Sequence, residues 1–190
     1  RLYCRWETNL KGLIINANSP RGEILKQKSE QVTENNYKQV AKQFLKKVLP
    51  LRVGDRCQGV SGNQVGMSES IFTAIVKGRW VMWMNPEIVH KGGKVVKSNE
   101  GCLSIPHKRI KVPRNTHITL NYRDKGFESN TIELYGNDAI VVQHEVDHLN
   151  GKLITDYKEQ GGGKFVTEEE LTNMLDDKDG YLHEQTNRTN

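Results

Sequence analysis

The segment from Asn137 to Leu149 constrains this chain more than any other. It reads as a helix that must be buried along one side while carrying two histidines four residues apart. Ala139, Ile140, Val141, Val142 and Leu149 supply its apolar positions. Asn137 or Asp138 suits the N-cap, and Gly151 stands where a helix-ending glycine belongs. His144 and His148 lie about one turn apart and share a face, so both imidazoles can reach a single ion. Glu145, one step from the first histidine, can lean toward a water on that ion. This is the H-E-x-x-H arrangement of metal-dependent hydrolases.

Strand-like runs precede the helix: Ile71 to Val76, Trp80 to Met84, Lys94 to Lys97, Ile118 to Tyr122 and Thr131 to Tyr135. Lys77-Gly78, Lys91-Gly92-Gly93 and Asp124-Lys125-Gly126 read as the turns between them. Nearer the start, Ile14 and Ile15 suggest a short edge strand, and Ser19-Pro20-Arg21-Gly22 a turn. Tyr37, Val40, Ala41, Phe44, Leu45 and Val48 follow helical spacing within Asn35 to Leu49, a helix stopped at Pro50. Residues 54–66 are glycine-rich and poor in large apolar side chains, which suggests a loop that approaches something closely. After the histidine helix, Gly161-Gly162-Gly163 reads as a linker. Thr167 and Glu170 form a capping-box pattern before a short acidic helix and a polar, disordered tail. Strands grouped before one central helix, with helices toward each end, predict an α+β fold. Residues 1–160 are expected to form one catalytic domain and residues 161–190 an acidic extension.

The chain has 190 residues, enough to bury a core without disulfides. It holds three cysteines, Cys4, Cys57 and Cys102. An odd number with no secretory pattern points to a reducing compartment and to thiols available as ligands. No apolar run is long enough to span a bilayer. The expectation is a protein of the cytoplasm or of a translating organelle, neither secreted nor membrane-embedded. The net charge is +5, with residues 161–190 carrying three basic and seven acidic side chains. The body is therefore basic, but no nucleic-acid motif accompanies the charge.

Two histidines need a third ligand, with a fourth position left for water. Downstream, Asp156, Glu159 and His183 are available. Upstream, Glu100-Gly101-Cys102-Leu103-Ser104 sets a cysteine between a carboxylate and a hydroxyl. A sulfur and nitrogen site of that kind suits iron, zinc, nickel or cobalt.

Glu100-Gly101-Cys102-Leu103-Ser104 and Gln143-His144-Glu145-Val146-Asp147-His148, in this order, resemble the second and third motifs of the peptide deformylases. The resemblance takes in Pro20 to Val32, Asn85-Pro86, Ile105-Pro106, Val112-Pro113-Arg114 and Gly151-Lys152-Leu153, about residues 14–158 in all. It implies an α+β fold and removal of the formyl group from N-formylmethionine on nascent peptides. It also implies one divalent metal, Fe2+ in many members, held by Cys102, His144 and His148. Glu145 would be the general base, and the Gln64 amide and the Leu103 N–H would donate to the oxyanion. Gly59, Gln58, Leu103, Asn137, Ile140 and Val141 would surround the methionine side chain, with Arg109 beside the substrate backbone. Glu100 with Arg114, and Gln143 and Asp147 beside the histidines, would orient the ligands. Ribosome contact would be transient.

The first motif departs from the family pattern of Gly, apolar, Gly, apolar, Ala, Ala, any residue, Gln. Here it reads Cys57-Gln58-Gly59-Val60-Ser61-Gly62-Asn63-Gln64. Polar Gln58 and Asn137 imply an altered side-chain preference, and Cys57 is expected to be a small filler. Two rivals stay open from the residues: a metallopeptidase with a downstream third ligand, and a metal-binding relative without turnover.

Overall fold

A computed structural model describes residues 12–51 and 57–157. A five-stranded antiparallel sheet runs in chain order: β1 (Gly59–Ser61), β2 (Ile71–Val76), β3 (Arg79–Cys102), β4 (Ile105–Arg123) and β5 (Ser129–Tyr135). Helix α1 (Tyr37–Val48) precedes the sheet and helix α2 (Gly136–Leu149) follows it. The fold is α+β, with α2 packed across the sheet.

The two faces of α2 explain its place. Ala139, Val142, Val146 and Leu149 recur at helical spacing and pack with Phe72, Ala74, Trp83, Ile118, Leu120 and Leu134 of the sheet. Ile140, His144 and His148 form the neighbouring stripe by their four-residue spacing. Hydrophobic burial therefore sets the rotation of the helix, and the rotation aims both histidines. A second cluster joins Val40, Phe44 and Val48 of α1 to Val60, Ile71 and Met84. A third gathers Leu25, Val112, Leu153 and Ile154 around Cys102.

Several local expectations change. The runs at Trp80 and Lys94 belong to one long strand, so Lys91-Gly92-Gly93 is not a turn. It is an irregularity where the β3–β4 register shifts between Gly92 and Val95. Gly93 takes φ +69° there, and a Cβ on it would lie 2.4 Å from Thr116 Oγ1. Ser19-Pro20 opens a 3-10 helix, Pro20–Lys26, instead of a single turn. Ile14 makes only an isolated bridge. Residues 59–65 of the glycine-rich stretch form β1 and a 3-10 turn. Helix α2 begins at Gly136 without a side-chain cap; neither Asn137 nor Asp138 is the N-cap, which is Tyr135. Asp138 instead accepts a bond from the Lys77 N–H at 3.0 Å, tying the β2–β3 turn to the helix. Gly151 closes α2 at φ +72°, where a Cβ would lie 2.4 Å from the Lys26 carbonyl oxygen. The expected linker, acidic helix and tail lie outside the described residues. No helix among the described residues is long and apolar enough to cross a membrane.

Candidate metal centre

Strand β3 ends at Cys102 and turns back through Leu103 and Ser104 into β4. That turn delivers the thiol to the histidine stripe of α2. Cys102 Sγ lies 3.2 Å from His148 Nε2, and the ligand atoms of Cys102, His144 and His148 all lie within 4.8 Å of one another. Among the described residues no other group of three such side chains converges. Asp156 is turned elsewhere, accepting from the Leu153 N–H at 2.7 Å. Glu159 and His183 lie outside the described residues.

The donor set fits a divalent cation. His144 Nδ1 lies 2.9 Å from Glu100 Oε2, which leaves Nε2 as the ligand atom. One sulfur and two nitrogens leave a position open in a four-coordinate site. The charges agree. Burial and the neighbouring charges of His144 and Arg114 hold His148 well below the ordinary histidine range, so it is a neutral donor. Burial works to lower His144 as well, but its bonds to Cys102 and Glu100 prevail and raise it to about 10.

A buried charged network backs His144. Arg114 donates from Nε and Nη2 to the two oxygens of Glu100 at 2.7 and 2.9 Å. Its Nη1 reaches Asp147 at 2.5 Å and the Tyr157 hydroxyl at 3.1 Å, and that hydroxyl donates to Asp147. Burial alone would raise Glu100, but the bonds from Arg114 and His144 hold it below the ordinary carboxylate range. Gln143 makes its hydrogen bonds to groups other than the ligands. It accepts from the Asn115 N–H and donates to the Asn115 and Ala139 carbonyls, fastening α2 to β4.

Glu145 is 2% exposed, and burial raises it above the ordinary carboxylate range despite His144 and Ser61. Its carboxylate lies against Gly59, where a Cβ would fall 2.4 Å from Oε1. A Gly59→Ala change must therefore displace that carboxylate. The expected outcome is a loss of activity of about tenfold or more with a retained fold, read as turnover against an unchanged circular dichroism spectrum. Full activity would show that the carboxylate tolerates displacement. Gln64, 1% exposed, accepts from the Ser61 N–H at 2.9 Å through Oε1. Its Nε2 faces Ser104 Oγ at 3.2 Å and Cys102 Sγ at 3.6 Å.

The remaining expected site residues divide. Leu103 is half-buried against the α1 cluster, and Ile140 stands on the histidine stripe. Val141 joins the core cluster and, seven residues before His148, also lies on that histidine's side of the helix. Gln58 and Asn137 are exposed, as is Arg109, whose Nη2 donates to the Asn99 carbonyl at 2.7 Å. Cys57 is core filler; burial and the charge of Glu145 push its thiol up to about 12. Sequence reasoning did not single out Ser61, Asn63, Ser104 or Tyr157 as working residues. Asn63 Nδ2 donates to the His148 carbonyl at 2.5 Å. Ser61 and Ser104 stood inside quoted motifs, whereas Tyr157 had no local signal.

Comparison with known proteins agrees with the geometry. A family model described as polypeptide deformylase matches residues 13–162. A peptide deformylase of Rickettsia akari is 35% identical over 145 residues, 70% of this chain and 81% of that protein. The crystal structure of a Thermotoga maritima peptide deformylase superposes with TM-score 0.66 at 30% identity, covering 77% of this chain and 97% of that one. A Plasmodium falciparum peptide deformylase solved with an inhibitor gives TM-score 0.65 at 31% identity, covering 77% and 89%.

Proposed function

The chain belongs to the polypeptide deformylase family and removes the formyl group from N-formylmethionine on new polypeptides, and on that premise we propose that Cys102, His144 and His148 hold its metal while Glu145 moves the proton. The observation that carries this reading is the convergence of those three donors within 4.8 Å on the helix that also bears a buried glutamate.

When bound, a divalent metal supplies Lewis acidity toward water and the formyl oxygen. Glu145 accepts the proton of the attacking water and returns it to the departing amine, so that the carbon–nitrogen bond breaks and formate leaves. The Gln64 amide and the Leu103 N–H donate to the oxygen that gathers charge, an arrangement worth about 3 kcal/mol per donor. The Glu100–Arg114–Asp147 network keeps His144 in the ligating tautomer. Gly59, Leu103, Ile140 and Val141 border the substrate side chain, with Gln58, Asn137 and Arg109 at the exposed rim. The native metal is Fe2+, and Zn2+, Ni2+ or Co2+ can take its place. The protein works in the cytoplasm or a translating organelle, meeting ribosomes transiently through their nascent chains.

Anaerobic purification followed by metal analysis and formate release from formyl-Met-Ala-Ser tests the ligand set. The parent should carry about one metal per chain and turn over. Cys102→Ser should lose most of both, because a hydroxyl is a poor substitute for thiolate at such a site. Unchanged metal content in that variant would move the third ligand elsewhere, and cleavage of internal peptide bonds would favour a peptidase.

A further inference from the structure

Ser61 ends β1 and is fully buried. Its hydroxyl lies 2.5 Å from Glu145 Oε2 and 3.1 Å from the main-chain oxygen of the same glutamate. Its position is over-determined. Strand pairing sets it opposite Phe72, and its N–H is taken by Gln64 Oε1 at 2.9 Å. An alanine, which the family pattern leads one to expect here, would offer Glu145 no polar atom at all.

Two residues earlier, and so on the same side of the strand, Gly59 lies under the other carboxylate oxygen, Oε1. One short strand therefore treats the two oxygens differently. Oε2 meets a hydroxyl, whereas Oε1 lies over a Cα with no side chain between. A hydroxyl both donates and accepts. It donates to Oε2 when Glu145 is ionised. When Glu145 takes a proton on Oε1, Oε2 remains an acceptor and the hydroxyl goes on donating to it. The contact is kept through the proton transfer without side-chain movement.

We infer that Ser61 is a positioning residue for Glu145, clamping Oε2 so that Oε1 is the oxygen that exchanges the proton during deformylation. The inference rests on Glu145 being the base. Ser61 also touches Gln64 through its main chain, which a side-chain substitution leaves in place, so the hydroxyl can be tested by itself.

The test compares the parent, Ser61→Ala, Ser61→Thr and Glu145→Ala, each metal-loaded, for kcat, KM, metal content and melting temperature. Loss of a bond to a charged group should lower kcat of Ser61→Ala by roughly tenfold or more, with KM and metal content unchanged. Ser61→Thr, which keeps the hydroxyl, should recover most of that loss. Should threonine be too bulky to fold at this buried position, the alanine variant decides through its kcat and KM split. A kcat for Ser61→Ala within about twofold of the parent overturns the inference, as does a loss that merely follows metal content or melting temperature. Turnover by Glu145→Ala would instead remove the base from Glu145 and the inference with it, so the two failures are distinct.

Discussion

Replacing Glu145 with alanine should leave the metal bound and lower kcat for formyl-Met-Ala-Ser by roughly a hundred- to ten-thousandfold, the range for removing a positioned acid–base group. Glu145 shares its helix with both histidines, but its side chain bonds to Ser61 and lies against Gly59. It is absent from the converging donors, so metal content should not follow activity down. Burial of this carboxylate, which raises its pKa, suits a group that must take up a proton and give it back near neutral pH. Glu145→Gln sharpens the test. The amide keeps the shape and can still bond to the Ser61 hydroxyl, yet cannot accept the proton. Both variants should be inactive with full metal content, measured by elemental analysis on the same samples used for the assay. Formate release by either at a rate near the parent's would remove Glu145 from the chemistry.

Legibility from sequence followed the range of the physical signal. The histidine helix was readable because its core face and its ligand spacing are both local and both have the helical period. The cysteine came from a motif whose partner lies 46 residues away by the Cys102–His148 contact, and only the resemblance joined the two. The long β3–β4 hairpin was broken into shorter strands because exposed residues such as His90, Lys91 and Lys94 interrupt its apolar alternation. Gly92-Gly93 mimics a turn where the structure has a register shift. Ser61 was seen only as a departure from alanine, since its role depends on a glutamate 84 residues on. Tyr157 joins Arg114 and Asp147 through a tertiary contact that no spacing encodes. Val141 and Ile140 are adjacent apolar residues. The rotation of α2 on the sheet brings Val141 into the core cluster, which Ile140 does not join.

That rotation is backed by charge as well as packing, and the charge can be removed. Arg114 is 2% exposed and bridges Glu100 and Asp147. Arg114→Met keeps an apolar stem of similar volume but strands Glu100, itself buried, with His144 as its remaining partner. Breaking a buried pair from one side costs about 3–5 kcal/mol, far more than the pair contributes relative to apolar replacement of both partners. The unfolding midpoint of the metal-free protein in denaturant should fall accordingly. Arg114→Lys should fall partway, because one ammonium cannot meet both oxygens of Glu100 and also Asp147. Glu100 is held below the ordinary carboxylate range by bonds from Arg114 and His144. A depressed carboxylate contributes stability that is present above its unfolded pKa and is lost as pH falls through its folded one. The gap between parent and Arg114→Met should therefore be full at neutral pH and close as pH falls below the ordinary carboxylate range. Metal affinity should drop about 10–100-fold in the same variant, since Glu100 would no longer be held against His144 Nδ1. A variant as stable as the parent at neutral pH would mean that Glu100 finds relief in water or in His144 alone, and that Arg114 is not what holds the ligand in place.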